Sequence, residues 1–273
     1  MDNALREYTE LSRKLRDAGY NFWYGSAELW SCQDYSVILE GNNLINEERV
    51  LLIPPLISGN ITHALSQFLK KEGSCEIMFA PHDISERIHP LVFKLFEIEQ
   101  VDNNYINDTM KVQALSGNGL KKLRNNVNNF TLKDDITALP LEEEHLQEAI
   151  ELCNKYHFQS DEYDDIDYNA TIIGNLRVFN LFHRGYWLDG KLIAFNVGAP
   201  LSQSTATFLI SKSRHDIKYL VDYVRWDFHC QALEQGFKFV NDGSDLDSEG
   251  LAQLKRKFAP ISVDPVYSLR WVG

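Results

Sequence analysis

The chain has no C-x-x-C pair; its four cysteines, Cys32, Cys75, Cys153 and Cys230, lie far apart. That scatter fits reduced thiols packed as small core residues in a cytosolic protein, not metal ligands. No run of about 18 apolar residues exists, so no membrane-spanning helix is expected. Residues 1–19 read as an amphipathic helix carrying Leu5, Tyr8, Leu11 and Leu15, not as the apolar core of a secretion signal. A soluble, cytoplasmic protein is the expectation. His82, His89, His145, His157 and His183 show no ligand spacing, and neither H-E-x-x-H nor G-x-S-x-G occurs. No Gly-Lys-Ser/Thr follows Gly117-Asn118-Gly119 at phosphate-loop spacing. These absences speak against a zinc hydrolase, a serine hydrolase and a Walker-type nucleotide site. The acidic stretch Asp242–Glu249 fails as a calcium loop: counted from Asp245, Gly250 fits the sixth place but the twelfth is Arg256. Neither a metal nor a tightly bound cofactor is expected.

What is present begins with size and charge. At 273 residues and 44% hydrophobic content the chain can bury a full core. Its net charge of −12 is unevenly spread. Asp134 to Asp167 holds twelve acidic residues against one lysine, which leaves the remainder near neutrality. Lys111 to Lys133 holds five basic residues and no acidic one. The molecule is electrically two-sided, and a local basic surface for phosphates is compatible with that.

Taken in order, strands are expected at 21–24, Tyr35–Glu40 and Arg49–Ile53. A helix follows over 60–71, a strand over Cys75–Ala80, a helix over Ile84–Phe96 and a strand over Tyr105–Leu115. Gly117 to Phe130 reads as a polar helix with Leu120, Leu123, Val127 and Phe130 on one face and Lys121, Lys122 and Arg124 around the rest. It is either a solvated linker or the lining of a phosphate or tRNA path. The strand–helix order restarts at Ile136, so two units are expected: 1–133, with 117–130 as linker helix, and 134–273. In the second unit an acidic helix spans Glu142–Tyr156, an acidic loop 160–167 and another helix Tyr168–Phe182.

The C-terminal half carries the sharpest pattern. Asp189-Gly190 between two apolar runs, Tyr186–Leu188 and Leu192–Gly198, is a strong hairpin signal, because the central positions need positive φ. A strand over Thr205–Ile210 comes next, then the loop Ser211–Lys218. Leu220, Val224, Phe228 and Ala232 fall four apart, as on a helix with one buried face. Gly236 ends that helix and Phe237–Val240 makes a further strand.

This order, three strands, a polar loop, a helix and a strand, resembles the central half of the GNAT acyltransferase fold. The phrases Gly190–Phe195, Gly198–Leu201 and Asn241–Leu246 with Gly250-Leu251 are similar to the domain shared with the C-terminal part of phosphatidylglycerol lysyltransferases. Leu115–Asn125 resembles a signature of the same family, and the likeness runs from about Leu115 to Pro265. It implies an α/β protein with a mixed sheet, built as two tandem GNAT-like units. It also points to acyl transfer, including transfer from aminoacyl-tRNA.

Acyl transfer needs a donor held by its phosphate handle, an exposed carbonyl and an unprotonated acceptor. Arg214, His215, Asp216, Lys218 and Tyr219 lie between strand and helix, where a helix start can hold an anion. The loop Ser211–Asp216 has no glycine, which disfavours close approach of backbone to a pyrophosphate and leans away from acetyl-coenzyme A. Asp242 and Asp245 stand after a strand end as candidate catalytic carboxylates; equally, Asp245 or Ser248 could simply cap the following helix. Lys121, Lys122, Arg124, Lys255 and Lys257 are the candidate phosphate or tRNA contacts. The expected protein moves an aminoacyl group from aminoacyl-tRNA to an amine or hydroxyl of a small-molecule or lipid-like acceptor. A strand backbone N–H near Leu209–Lys212 would stabilise the oxyanion. The alternatives are an acyl-coenzyme A dependent N-acyltransferase and a non-catalytic module that binds RNA or a partner.

Overall fold

The computed structural model describes residues 28–31, 37–42, 49–51, 62, 65–66, 69–70, 73–74, 76–131, 136–156, 166–177, 181–201, 204–246 and 248–273. The expected helix over 1–19, the strand over 21–24, much of the helix over 60–71 and the acidic loop up to 165 lie outside them. In chain order the first strands are β1 (Glu28–Ser31), β2 (Val37–Asn42), β3 (Arg49–Leu51) and β4 (Glu76–Pro81). Next come α1 (Ile84–Arg87), α2 (Pro90–Phe93), β5 (Phe96–Asp108), α3 (Thr109–Gln113) and α4 (Lys121–Thr131). They are followed by β6 (Ile136–Leu139), α5 (Leu146–Lys155), α6 (Ile166–Gly174), β7 (Phe182–Leu188), β8 (Lys191–Pro200) and β9 (Thr205–Ser213). The chain closes with α7 (Leu220–Glu234), β10 (Phe239–Asn241), α8 (Glu249–Arg256) and β11 (Ser262–Trp271).

Two compact units result: Met1–Asn104 with Val263–Gly273, and Tyr105–Ser262. This division lies elsewhere than residue 133. The reason is that Leu120, Leu123 and Val127 of the expected linker pack with Val112, Leu115 and Phe258, inside the second unit.

In the first unit the strand order is β1-β2-β3-β4-β11-β5, with β3 and β4 parallel. Its core gathers Leu65, Ile77, Ala80, Ile84, Ile88, Phe96 and Leu269. The single helix expected over 84–96 is instead two short turns and the start of a strand. Pro90 has no N–H to continue a helix and drives the preceding His89 out of helical conformation, to ψ 132°, and Ile88 before it is extended as well, at ψ 139°. The strand expected over 105–115 ends at Asp108, whose carboxylate accepts from Lys111 N at 2.9 Å and caps α3.

In the second unit the order is β5-β10-β9-β8-β7-β6, with β9 and β10 parallel. Asp189 at φ 52° and Gly190 at φ 73° make the expected β7–β8 hairpin. The helix expected over 168–182 stops at Gly174, and Phe182 already belongs to β7. Every residue of β8 from Leu192 to Ala199 is buried, as in a strand covered on both faces. Asn196 faces α7, donating to the Val224 carbonyl at 3.2 Å. Lys212, opposite Phe195, faces the other way and donates to the Tyr156 carbonyl at 3.2 Å, at the end of α5. A register shift opposite Val197–Gly198 leaves Leu209 as an extra residue in β9. Gly198 is required there, because a Cβ would lie 2.3 Å from the Phe228 ring.

Candidate active site

The site is built where two parallel strands separate. β9 and β10 pair over three rungs only, Thr205–Phe239, Ala206–Val240 and Thr207–Asn241. Beyond Asn241 the chain turns toward β5, with Asp242 N donating to the Tyr105 carbonyl at 2.8 Å and Tyr105 N to the Gly243 carbonyl at 3.3 Å. β9 continues to Ser213. From Phe208 onward its edge away from β8 therefore has no strand partner among the described residues. Unpaired backbone N–H groups on such an edge suit the oxygen of a bound carbonyl.

A polar cluster sits at this parting. Arg225, on α7, lays its guanidinium carbon 4.4 Å from the centre of the Phe208 ring and donates to the Asp242 carboxylate. Phe208 and Asp242 are the first residues beyond the last rung on each strand. Lys255, on α8, donates to the Asp242 carbonyl and lies 3.9 Å from its carboxylate. Burial alone pushes the Asp242 carboxyl up, but Arg225 and Lys255 outweigh it and hold it below the usual range. His229, one turn after Arg225, has Nδ1 2.8 Å from the Arg225 carbonyl. A carbonyl only accepts, so the neutral ring carries its proton on Nδ1. Burial lowers the His229 pKa to about 4, and both its Nε2 and Asp242 Oδ2 are buried without a hydrogen-bond partner. The ring stacks on Phe258 at 5.4 Å. Tyr105 donates to Asp245 Oδ2 at 2.5 Å, and burial followed by Asp245 pushes its pKa to about 12.

A second network lies between α7 and the hairpin. Asp227 accepts from Arg184 Nη1 at 3.0 and 3.1 Å, from the Tyr186 hydroxyl at 2.6 Å and from Gln231 at 3.1 Å. Asn196 donates to the Tyr186 oxygen at 2.9 Å and accepts from Gln231 at 3.1 Å. Burial, then Asp227, raises the Tyr186 pKa well above normal. The members satisfy one another, so this network fixes α7 on β7 and β8 and leaves little for a ligand.

The sequence-derived candidates fall into different environments. Asp242 and Asp245 are both buried and already engaged, Asp242 in its ion pair and Asp245 with Tyr105. Arg214 and Asp216 form a two-pronged pair at 3.0 and 2.5 Å and largely cancel each other. His215 contacts the Tyr156 ring at 4.6 Å, and Lys218 lies 4.7 Å above the Tyr219 ring. Tyr219, at φ 70°, precedes α7 without a side-chain cap. Lys121 and Lys122 are exposed, whereas Arg124 donates to the Leu115 and Gly117 carbonyls at 2.7 and 3.4 Å. Lys255 is only 3% exposed and is withdrawn from any surface path. Lys257 pairs with Asp222 at 2.6 Å. Sequence reasoning missed Arg225, His229, Tyr105, Asp227, Arg184 and Tyr186. The one available signal was that Arg225 and His229 are themselves four apart, beside the apolar stripe of α7. A small cleft near Gly119 and Phe258 offers Lys111, but that lysine already faces Asp108 at 3.8 Å. Among the described residues no group of His, Cys, Asp and Glu could hold a metal, and no helix is long and apolar enough to cross a membrane.

A family model described as "Phosphatidylglycerol lysyltransferase, C-terminal" matches residues 13–270. No curated protein matches the chain. Among solved structures, a conserved protein of unknown function from Bacteroides thetaiotaomicron is similar at a TM-score of 0.80 and 17% identity, over 97% of this chain and 90% of that one. L-PGS from Bacillus licheniformis is similar at 0.72 and 15%, over 100% and 92%. A tandem GNAT protein from the clavulanic acid biosynthesis pathway is similar at 0.51 and 9%, over 87% and 79%. At these identities the likeness is one of fold: a mixed α/β fold of the tandem GNAT type.

Proposed function

The chain belongs to the phosphatidylglycerol lysyltransferase C-terminal family, and from that membership and its site we propose that it transfers an aminoacyl group from aminoacyl-tRNA. The acceptor is an amine or hydroxyl of a small-molecule or lipid-like compound. The observation that carries the reading is the parting of β9 and β10 beside Arg225 and Asp242. An ester carbonyl lying against the open edge of β9 meets backbone donors, and the acceptor attacks it directly. The new C–N or C–O bond forms as the ester C–O bond breaks, and the terminal ribose oxygen leaves with the acceptor's proton.

Two features favour this donor over an acyl-coenzyme A. The turn Arg214–Tyr219 between β9 and α7, which begins later than the loop expected from Ser211, offers no glycine for close approach to a pyrophosphate. Arg225, on α7 beside the parting, also has guanidinium N–H groups without a partner among the described residues, which suit a donor phosphate close to the reacting ester. Ligand-dependent thermal stability tests the reading, since a ligand that binds the folded state raises the melting temperature. Charged tRNA is expected to raise it more than uncharged tRNA, and coenzyme A to leave it unchanged. The reverse ranking would return the acyl-coenzyme A alternative.

A further inference from the structure

Arg225 has more donors than the protein uses. Its side chain is only 9% exposed, and one terminal nitrogen, Nη2, is spent on Asp242. Among the described residues Nε and Nη1 have no hydrogen-bond partner, yet neither is among the fully buried unpartnered atoms. A guanidinium cannot shed its proton to relieve such a situation, so those N–H groups face water or a ligand. Phe208 and Asp242 hold the group from both strands at the point where β9 and β10 part. A cation fixed so rigidly loses little freedom on binding.

We propose that Arg225 binds a phosphate oxygen of the donor, through its Nε–H, at the parting of β9 and β10. The inference deepens the reading above and rests on the donor entering there. Phosphate suits a group with N–H donors left over and a full, permanent charge, because charge-assisted hydrogen bonds are roughly twice as strong as neutral ones. Asp242 then has a role other than general base. It holds the guanidinium in place, and Lys255, which donates to the Asp242 carbonyl, holds the Asp242 turn.

Two phosphate-bearing sources share this chemistry, the 3′ end of an aminoacyl-tRNA and coenzyme A. The test uses three probes, with affinities measured by calorimetry on the full chain. They are 3′-aminoacylamino-3′-deoxyadenosine 5′-phosphate, the same nucleoside without the phosphate, and coenzyme A. Arg225→Lys keeps a cation opposite Asp242 and removes the planar donors. We expect it to weaken the phosphorylated nucleoside by roughly ten- to a hundredfold and to leave the unphosphorylated one unchanged. Equal affinity of wild type and variant for the phosphorylated probe, or equal loss for both nucleosides, would overturn the role of Arg225 while leaving the aminoacyl reading in place. Phosphate-dependent binding of coenzyme A alone, lost in Arg225→Lys, would support Arg225 and sink the aminoacyl donor. If the variant does not fold, the wild-type Arg225 Nε–H resonance serves instead. It moves on addition of the phosphorylated probe and not of the unphosphorylated one, and a resonance indifferent to both refutes the proposal.

Discussion

Arg225 and Asp242 come from a helix and from the turn after a three-residue strand, and their ion pair ties α7 to that turn just beyond the last rung that β10 shares with β9. Removing one partner leaves the other charge buried. We therefore expect Asp242→Asn to cost about 3–5 kcal/mol in urea unfolding. The pair also sets an acid limit. Asp242 has a lowered folded pKa, so its contribution is full above the unfolded carboxylate value of about 4 and is lost as pH falls below it. A loss below about 0.5 kcal/mol in Asp242→Asn would mean that the pair is solvated.

His229 gives a second pH dependence, at higher pH. Its folded pKa is about 4 against 6.5 for an ordinary histidine, so the unfolded chain binds the extra proton. Stability is full above pH 6.5 and declines as pH falls toward 4, by about 3 kcal/mol at about 1.4 kcal/mol per unit. Desolvation is the main cause, with Arg225 opposing protonation and Asp242 favouring it. His229→Gln is expected to flatten the stability profile between pH 6.5 and 4. An unchanged profile would locate the titration elsewhere.

Tyr186→Phe tests the network behind the site. The hydroxyl donates to Asp227 and accepts from Asn196, so its loss removes one hydrogen bond from each of two buried groups that keep other partners, at about 1–3 kcal/mol. Thermal unfolding of the variant reads the cost directly. A change of a few tenths would show that water replaces the hydroxyl.

Much of the second unit was readable in advance because its signals are local. Asp189-Gly190 announces a hairpin by its backbone requirement, and Leu220, Val224, Phe228 and Ala232 announce α7 by their spacing. The break at Pro90 is equally local, since a proline has no N–H to carry a helix through 84–96. The polar cluster was not readable for a different reason. Arg225 meets Asp242 across 17 residues, and Tyr105 meets Asp245 across 140. Periodicity reports which face of one helix is apolar; it says nothing of which distant turn supplies a counter-charge. Lys255 shows the same limit: a basic residue in a helix end reads as surface, yet it is buried on the Asp242 turn.

The surface lysines bear on tRNA. With Arg124 spent on two carbonyls, Lys121 and Lys122 remain as exposed candidates on α4. Replacing both by Ala is expected to flatten the salt dependence of tRNA binding by up to about two phosphate contacts, each close to one unit of slope. An identical slope would return them to the solvated surface.

The donor itself is the central claim, and single-turnover transfer tests it most directly. The protein is mixed with tRNA charged with a labelled amino acid and, in parallel, with labelled acyl-coenzyme A, each with a panel of amine and lipid acceptors. Label is expected to leave the charged tRNA for an acceptor product, at a rate set by the protein. Label transferred from acyl-coenzyme A, with the charged tRNA left intact, would contradict it.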